Sequence, residues 1–471
     1  MSLVSTTTRS EKKAPANSPV VSSARSKVGR VTLRQLMLVW FAASILLSGF
    51  LVFSMNVEHA PAKVLFVPGE TTHGHYQIEL ACNVCHTPLM GVKQDSCLSC
   101  HDDELKEIND THAAKKFNDP TNAEQLSVLN AKECITCHRE HVPDKTHRMG
   151  LSLPPDYCFH CHQDIKEQRP SHVEFTFASC ATSGCHNYHD NSPLYENFLA
   201  EHWGEPDLLE EPKTLLRNRT AEPGKALSAS EQDADGHIRV TQESLDEWAN
   251  SQHALNGVNC SDCHFSQATK TWSEQVDHHA CDNCHESATS GFLAGKHGMR
   301  LAQSLSPMSP ADARLPMKDS SMHRDLNCSS CHAAHRYDTQ FAAVEACLQC
   351  HNDSHSTAYK NSTHYQYWSE ELAGGAVEGQ GVSCATCHLP RIEADHGVVV
   401  QHNQNWNLRP NEKMIRTVCQ NCHGTQFTLD ALADRELIDR CFDGKPQSHV
   451  ESIDMVKKWF DQKGRKQKKR P

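Results

Sequence analysis

The stretch Cys328–His335, CSSCHAAH, places two cysteines three positions apart, a histidine directly after the second, and another histidine three residues on. Its first five residues are a C-x-x-C-H unit, and the unit recurs along the chain. The cysteine pairs are Cys82 and Cys85, Cys97 and Cys100, Cys134 and Cys137, Cys158 and Cys161, and Cys260 and Cys263. They continue with Cys281 and Cys284, Cys328 and Cys331, Cys347 and Cys350, Cys384 and Cys387, and Cys419 and Cys422. An eleventh copy is stretched, CATSGCH, with Cys180 and Cys185. Together these copies use 22 of the 23 cysteines and leave Cys441 over.

The histidines that follow are His86, His101, His138, His162, His186, His264, His285, His332, His351, His388 and His423. The spacing has a chemical reason. Two thiols add to the two vinyl groups on one edge of a porphyrin, and the adjacent imidazole turns under the ring to bind iron. A short helical turn meets both demands. In CATSGCH the two extra residues must loop out, with Gly184 easing the bend. Zinc ribbons also pair C-x-x-C units, but zinc does not require a histidine after every second cysteine. A disulfide framework fails on the same ground. The expectation is eleven covalently attached haems of the c type.

Beyond the eleven proximal histidines, 22 of the chain's 33 remain, enough to supply a second axial ligand to every iron. Expected distal ligands are His75, His112, His141 (in CHREH), His172 and His189 (in CHNYH) in the first half. In the second half they are His253, His297, His323, His335 (in CHAAH), His364 and His396. His147, His278, His279 and His355 are held in reserve. Two histidines per iron leave no position for substrate, which favours electron transfer over catalysis. Cys441 reads either as a buried, inert thiol or as a thiolate near a haem.

Composition agrees with an interior filled by something besides side chains. Only 38% of the 471 residues are apolar and 6% are aromatic. The formal charge of −12 omits iron and propionates and gives no support to a nucleic-acid partner. Residues 1–34 carry seven basic side chains against the single acid Glu11, and Leu36–Met55 then runs twenty residues without a charge. That length spans a bilayer as one helix, and the flanking charge puts the preceding tail in the cytoplasm. A cleaved signal peptide is the alternative, disfavoured by the long basic region and the absence of a good small-x-small site.

The motifs fall into two blocks, five within 82–186 and six within 260–423, separated by 73 residues that lack cysteine. The expected organisation is a basic tail over 1–34, a transmembrane anchor over 35–56 and a five-haem domain over 57–200. A linker over 201–247, mostly exposed at 205–240, leads to a six-haem domain over 248–456 and a basic tail over 457–471. The expected fold is mainly α and loop-rich: two multihaem domains organised around stacked haems, plus one N-terminal transmembrane helix. Asp102–Lys116 and Thr428–Ile438 read as helices, VTQESLDEWANSQHAL looks helical, and SLSPMSPADARLPM reads as a loop that wraps the haems.

The first block has an H-x-H before its first motif, close motif spacing and the stretched site. Over roughly residues 70–190 it resembles class III cytochromes c. The second block, about 248–460, resembles the hydroxylamine oxidoreductase and octahaem tetrathionate reductase superfamily. The resemblance rests on GKHGMR (295–300), MHRDLNCSSCHAAH (322–335), CLQCHNDSH (347–355), STHYQYW with GVSCATCH (362–388), and the segment from His402 through His423. It implies axial roles for such histidines and haems packed in parallel and perpendicular pairs. The catalytic features of related enzymes do not carry over. The last tyrosine is Tyr367, so no tyrosine follows the last motif to cross-link a haem, and no C-x-x-C-K variant occurs.

The functional expectation is a membrane-anchored periplasmic cytochrome c. It would pass electrons between a membrane or quinol-linked donor and a periplasmic or outer-membrane partner. The alternative is an oxidoreductase acting on a small nitrogen or sulfur compound at one open haem. The basic C-terminus, with eight lysines and arginines from Lys457 onward, reads either as a solvated tail or as a contact for anionic lipid or an acidic redox partner.

Overall fold

The N-terminal apolar run is one helix, α1 (Leu33–Asn56), in a computed structural model that describes residues 32–56, 66–108, 117–180, 185–190, 194–214, 224–267, 269–394, 397–408 and 413–468. At about 1.5 Å per residue its 24 residues extend about 36 Å, longer than the ~30 Å of a bilayer's hydrocarbon core. Its apolar side chains stand exposed all round, Leu36, Trp40, Phe41 and Leu46 among them. Length and composition fit a membrane span over Leu33–Phe53, and an N-terminal signal sequence has the same character.

Residues Glu58–Pro471 form the second compact unit. It is built from short helices joined by loops, with three two-stranded hairpins among the described residues. The first hairpin, β1 (His86–Thr87) with β2 (Gly91–Val92), follows the first motif directly. Helix α2 (Gln94–Glu107) carries the second motif, and α3 (Glu196–Glu201) closes the first block. Helix α4 (Gln242–Ala249) starts at the Thr241 cap and buries Trp248. Hairpin β3 (Phe265–Ser266) and β4 (Thr271–Trp272) repeats the motif-then-hairpin arrangement. Helix α5 (His278–Ala294) carries the seventh motif and kinks at its histidine, His285. Then come α6 (Thr363–Leu372), hairpin β5 (Arg391–Ala394) with β6 (Gly397–Val400), and α7 (Thr425–Ala433), α8 (Arg435–Asp439) and α9 (Glu451–Lys468).

Buried apolar side chains gather in small clusters rather than one large core. The larger cluster joins Leu194 and Leu199 from the end of the first block to Ile415, Leu429, Ile453 and Val456 from the end of the chain. The smaller holds Val344, Tyr359 and Cys441. The two motif blocks therefore share packing. Polar contacts reinforce the junction. Lys413 Nζ donates to Glu104 at 2.6 Å, Trp406 Nε1 to Glu107 at 3.2 Å, and Arg300 to the Gln77 carbonyl at 2.8 Å. Arg416 stacks over Phe198 at 3.7 Å.

The described part of the 201–247 segment is mostly exposed over 205–240, as its composition suggests, and differs from a free linker only in the hydrogen bonds that tie it to the motifs. Leu209 N–H donates to the Cys422 carbonyl and Lys213 N–H to that of Asn421, while Gly424 N–H donates back to Pro206. Further on, Asp233 accepts from Ser261 N–H at 2.9 Å. Gly224 lies so close to Asn256 that an added Cβ would fall 2.2 Å from its carbonyl oxygen. These bonds, invisible in composition, hold the exposed residues along the motifs that begin at Cys260 and Cys419. The basic terminus differs too. Residues 457–468 continue α9, with Phe460 packed 6.2 Å from Trp203.

Candidate haem sites

Each motif whose cysteines and histidine are all described lies on or beside a short helical turn. Three of these turns are closed by capping boxes: Asn259 with Asp262, Asn327 with Ser330, and Ser383 with Thr386. Each cap satisfies main-chain donors at the start of the turn. It thereby fixes the backbone that aims both thiols and the histidine to one side.

Ten of the eleven motif histidines face a second histidine ring at a nearly constant distance. In the first block His101 faces His75 at 6.0 Å, His86 faces His141 at 6.5 Å, His138 faces His189 at 6.2 Å and His186 faces His172 at 6.1 Å. In the second, His264 faces His335 at 6.1 Å, His285 faces His253 at 6.0 Å and His332 faces His402 at 6.3 Å. The remaining pairs are His351 with His297 at 6.3 Å, His388 with His355 at 6.1 Å, and His423 with His364 at 6.3 Å. Direct stacking would bring rings closer. A metal atom between two imidazoles, with bonds of about 2 Å and about 1.2 Å from nitrogen to ring centre on each side, requires about 6.4 Å.

Hydrogen bonding fixes the tautomer in many of these rings. Nδ1 donates to a main-chain carbonyl in His141 (Gly69, 2.7 Å), His264 (Ser273, 2.7 Å) and His355 (Ile438, 2.6 Å). The same holds for His402 (Val400, 2.9 Å), His423 (Asp207, 2.9 Å) and His138 (Gly150, 3.3 Å). Carbonyl oxygens only accept, so the proton sits on Nδ1 and Nε2 keeps its lone pair. Burial works in the same direction, pushing His297, His332, His364 and His388 down to about 4 and keeping their imidazoles neutral. Among the described residues no three His, Cys, Asp or Glu side chains converge as a metal cage. Pairs of opposed, neutral imidazoles beside cysteine pairs fit a planar macrocycle, and the donor set fits haem c.

Eight of the expected distal histidines lie opposite a motif histidine, namely His75, His141, His172, His189, His253, His297, His335 and His364, and His355 joins them from the reserve. His402 is the partner that the ligand reasoning missed. It follows β6, and no local spacing marks it. His323 is exposed and belongs to none of these pairs, while every motif histidine of the second block faces another ring. His396 and His112 lie outside the described residues.

Comparison with known proteins bears on the same segments. The cytochrome c3 family matches residues 74–163 and 252–352, one segment in each motif block. The chain is a multihaem cytochrome c. The cytochrome is also similar to cytochrome c-552 of Haemophilus ducreyi, 23% identical over 188 residues. That alignment covers 35% of this chain and 36% of the relative, so the cytochrome spans about a third of the relative's length. No solved structure matches it.

The thiols of the cytochrome neighbour one another from motif to motif. Cys97 lies beside Cys134, Cys158 beside Cys180, Cys281 beside Cys328 and Cys347 beside Cys384. Cys331 lies beside Cys347 and Cys350, and Cys387 beside Cys419 and Cys422. Successive attachment points are thus side by side. Cys441 stands apart from this series. It is 8% exposed, packs with Val344 and Tyr359, and its Sγ lies 3.8 Å from His355 Nε2. Burial pushes it up to about 12, so it is a neutral thiol at physiological pH.

Proposed function

We propose that this is a membrane-anchored, periplasmic cytochrome with eleven covalent haems. It conducts electrons between a quinol-linked or other membrane donor and a periplasmic or outer-membrane acceptor. The observation that carries the reading is the set of ten opposed histidine pairs at 6.0–6.5 Å. Haem c, when bound, supplies a one-electron iron couple.

The residues act as follows. Each cysteine pair would tether the cofactor, so that it could not dissociate or slide. The motif histidine and the opposed histidine would hold the iron between them and would leave no open position for substrate or water. The Nδ1 bonds to carbonyls orient the rings and raise their donor strength. Neighbouring thiols hold successive sites in contact along the sequence, the arrangement a conduit needs. Helix α1 keeps the cytochrome close to membrane partners, which raises its encounter rate with them.

The test combines intact-mass spectrometry with membrane fractionation. Eleven haems per chain, with association lost on removal of residues 1–57, are expected. Fewer haems, or a mature chain that already lacks α1, would overturn the count or the anchor respectively.

A further inference from the structure

Among the paired histidines, His75 is held differently. Its Nδ1 meets a carboxylate rather than a main-chain carbonyl: Glu140 Oε1 at 2.6 Å. Glu140 is itself fixed, accepting from Thr72 N–H at 2.5 Å and from the Thr72 hydroxyl at 2.9 Å. Opposite His75, His101 Nδ1 lies 3.7 Å from a second carboxylate, Glu104. A carboxylate also stands by His351, Asp353 at 3.8 Å. Six further rings use carbonyls. The His101–His75 site therefore combines one short carboxylate bond on one ring with a second carboxylate close to the other.

The position of Glu140 matters as well. It lies between His138 and His141, which belong to the third and first sites, while its oxygen reaches the second. One anionic side chain thus sits where three attachment sites meet.

Resting on the reading of His75 and His101 as axial ligands, we propose that Glu140 is a positioning residue that lowers the potential of this site. A carboxylate accepts the Nδ1 proton more strongly than a carbonyl does, giving His75 imidazolate character and greater donor strength. A stronger donor stabilises the ferric over the ferrous iron. The step concerned is one electron added to Fe(III) to give Fe(II), with no proton transferred. The site is the low-potential member of the first three. It also adjoins the second block, since Glu104 binds Lys413, and Tyr76, next to His75, lies under Arg314 at 4.5 Å.

The experiment is a dithionite titration of the full cytochrome followed by optical absorption and EPR. Glu140→Gln should leave the haem count unchanged, move one haem to higher potential, and shift the g values of one low-spin signal. Glu140→Asp keeps the charge on a shorter arm and should move the same haem less, in the same direction. If Glu140→Gln fails to assemble, Glu140→Asp alone decides by the presence or absence of that shift. A fully loaded variant with every potential unchanged would overturn the proposal. Replacing Cys97 and Cys100 with serine separates the two readings. If it leaves the haem count unchanged, the site assignment fails. If it removes one haem while the Glu140 variants move nothing, the role of Glu140 alone fails.

Discussion

A histidine three or four residues after a motif histidine is too near it along the chain to reach round to the opposite side of the same site. It turns instead to another site. His141, three residues after His138, faces His86; His189, three after His186, faces His138; His335, three after His332, faces His264. His355, four after His351, faces His388. This rule explains why motif cysteines and proximal histidines were legible in the sequence and distal partners only in part. Proximal ligation is local. Distal partners lie between 14 residues (His172 and His186) and 71 residues (His264 and His335) from the motif histidine they face. His402 carries no local spacing cue, although the resembling segment begins with it, and His323, within MHRDLNCSSCHAAH, is exposed and faces no motif histidine among the described residues. The prediction that separates them is simple. His402→Ala should turn one haem high-spin by EPR, and His323→Ala should leave the spectrum unchanged. At Cys441, substitution by serine should preserve the haem count. It should cost about 1–3 kcal/mol of stability, because a hydroxyl is buried beside Val344 and Tyr359 without the thiol's apolar character; chemical denaturation measures this.

Element formation was partly legible. The apolar run that became α1 and the helical stretch containing α4 follow from pattern, and helix was expected where α2 ends and over α7 and α8. Helix α9 was read as a tail because its charges hide an apolar face of Ile453, Val456 and Phe460. Ile453→Ala should destabilise the cytochrome by about 2–5 kcal/mol, the range for truncating a packed isoleucine, measured by thermal or denaturant unfolding. The approach to α9 also carries a pH dependence. His449 hydrogen-bonds Asp454 at 2.8 Å and approaches Asp430 at 3.2 Å, with Gln426 alongside at 3.3 Å. The two carboxylates raise His449 above its ordinary value. A raised folded value means that the stabilisation is complete below the unfolded value of about 6.5 and is lost as pH rises through the folded one. Protease resistance of α9 should therefore fall as pH rises past neutrality, and His449→Ala should abolish that dependence.

At the scale of the molecule, two motif blocks that look separate in sequence share one compact unit. The reason is physical. Their junction is made by residues dispersed over the chain, Leu194 and Leu199 against Ile415 and Ile453, and Glu104 with Lys413. No composition shift marks such contacts. Fragments 57–223 and 224–471, co-expressed, should therefore bind each other and co-elute; independent elution would show that the shared cluster does not hold them.

The central claim is that every iron carries two protein ligands, and low-temperature EPR of the oxidised cytochrome, paired with its haem count, tests it most directly. The account predicts only low-spin signals, of more than one kind because the opposed rings range from 18° to 89° apart in plane. A high-spin component of one haem or more would contradict it and point to an iron open to substrate.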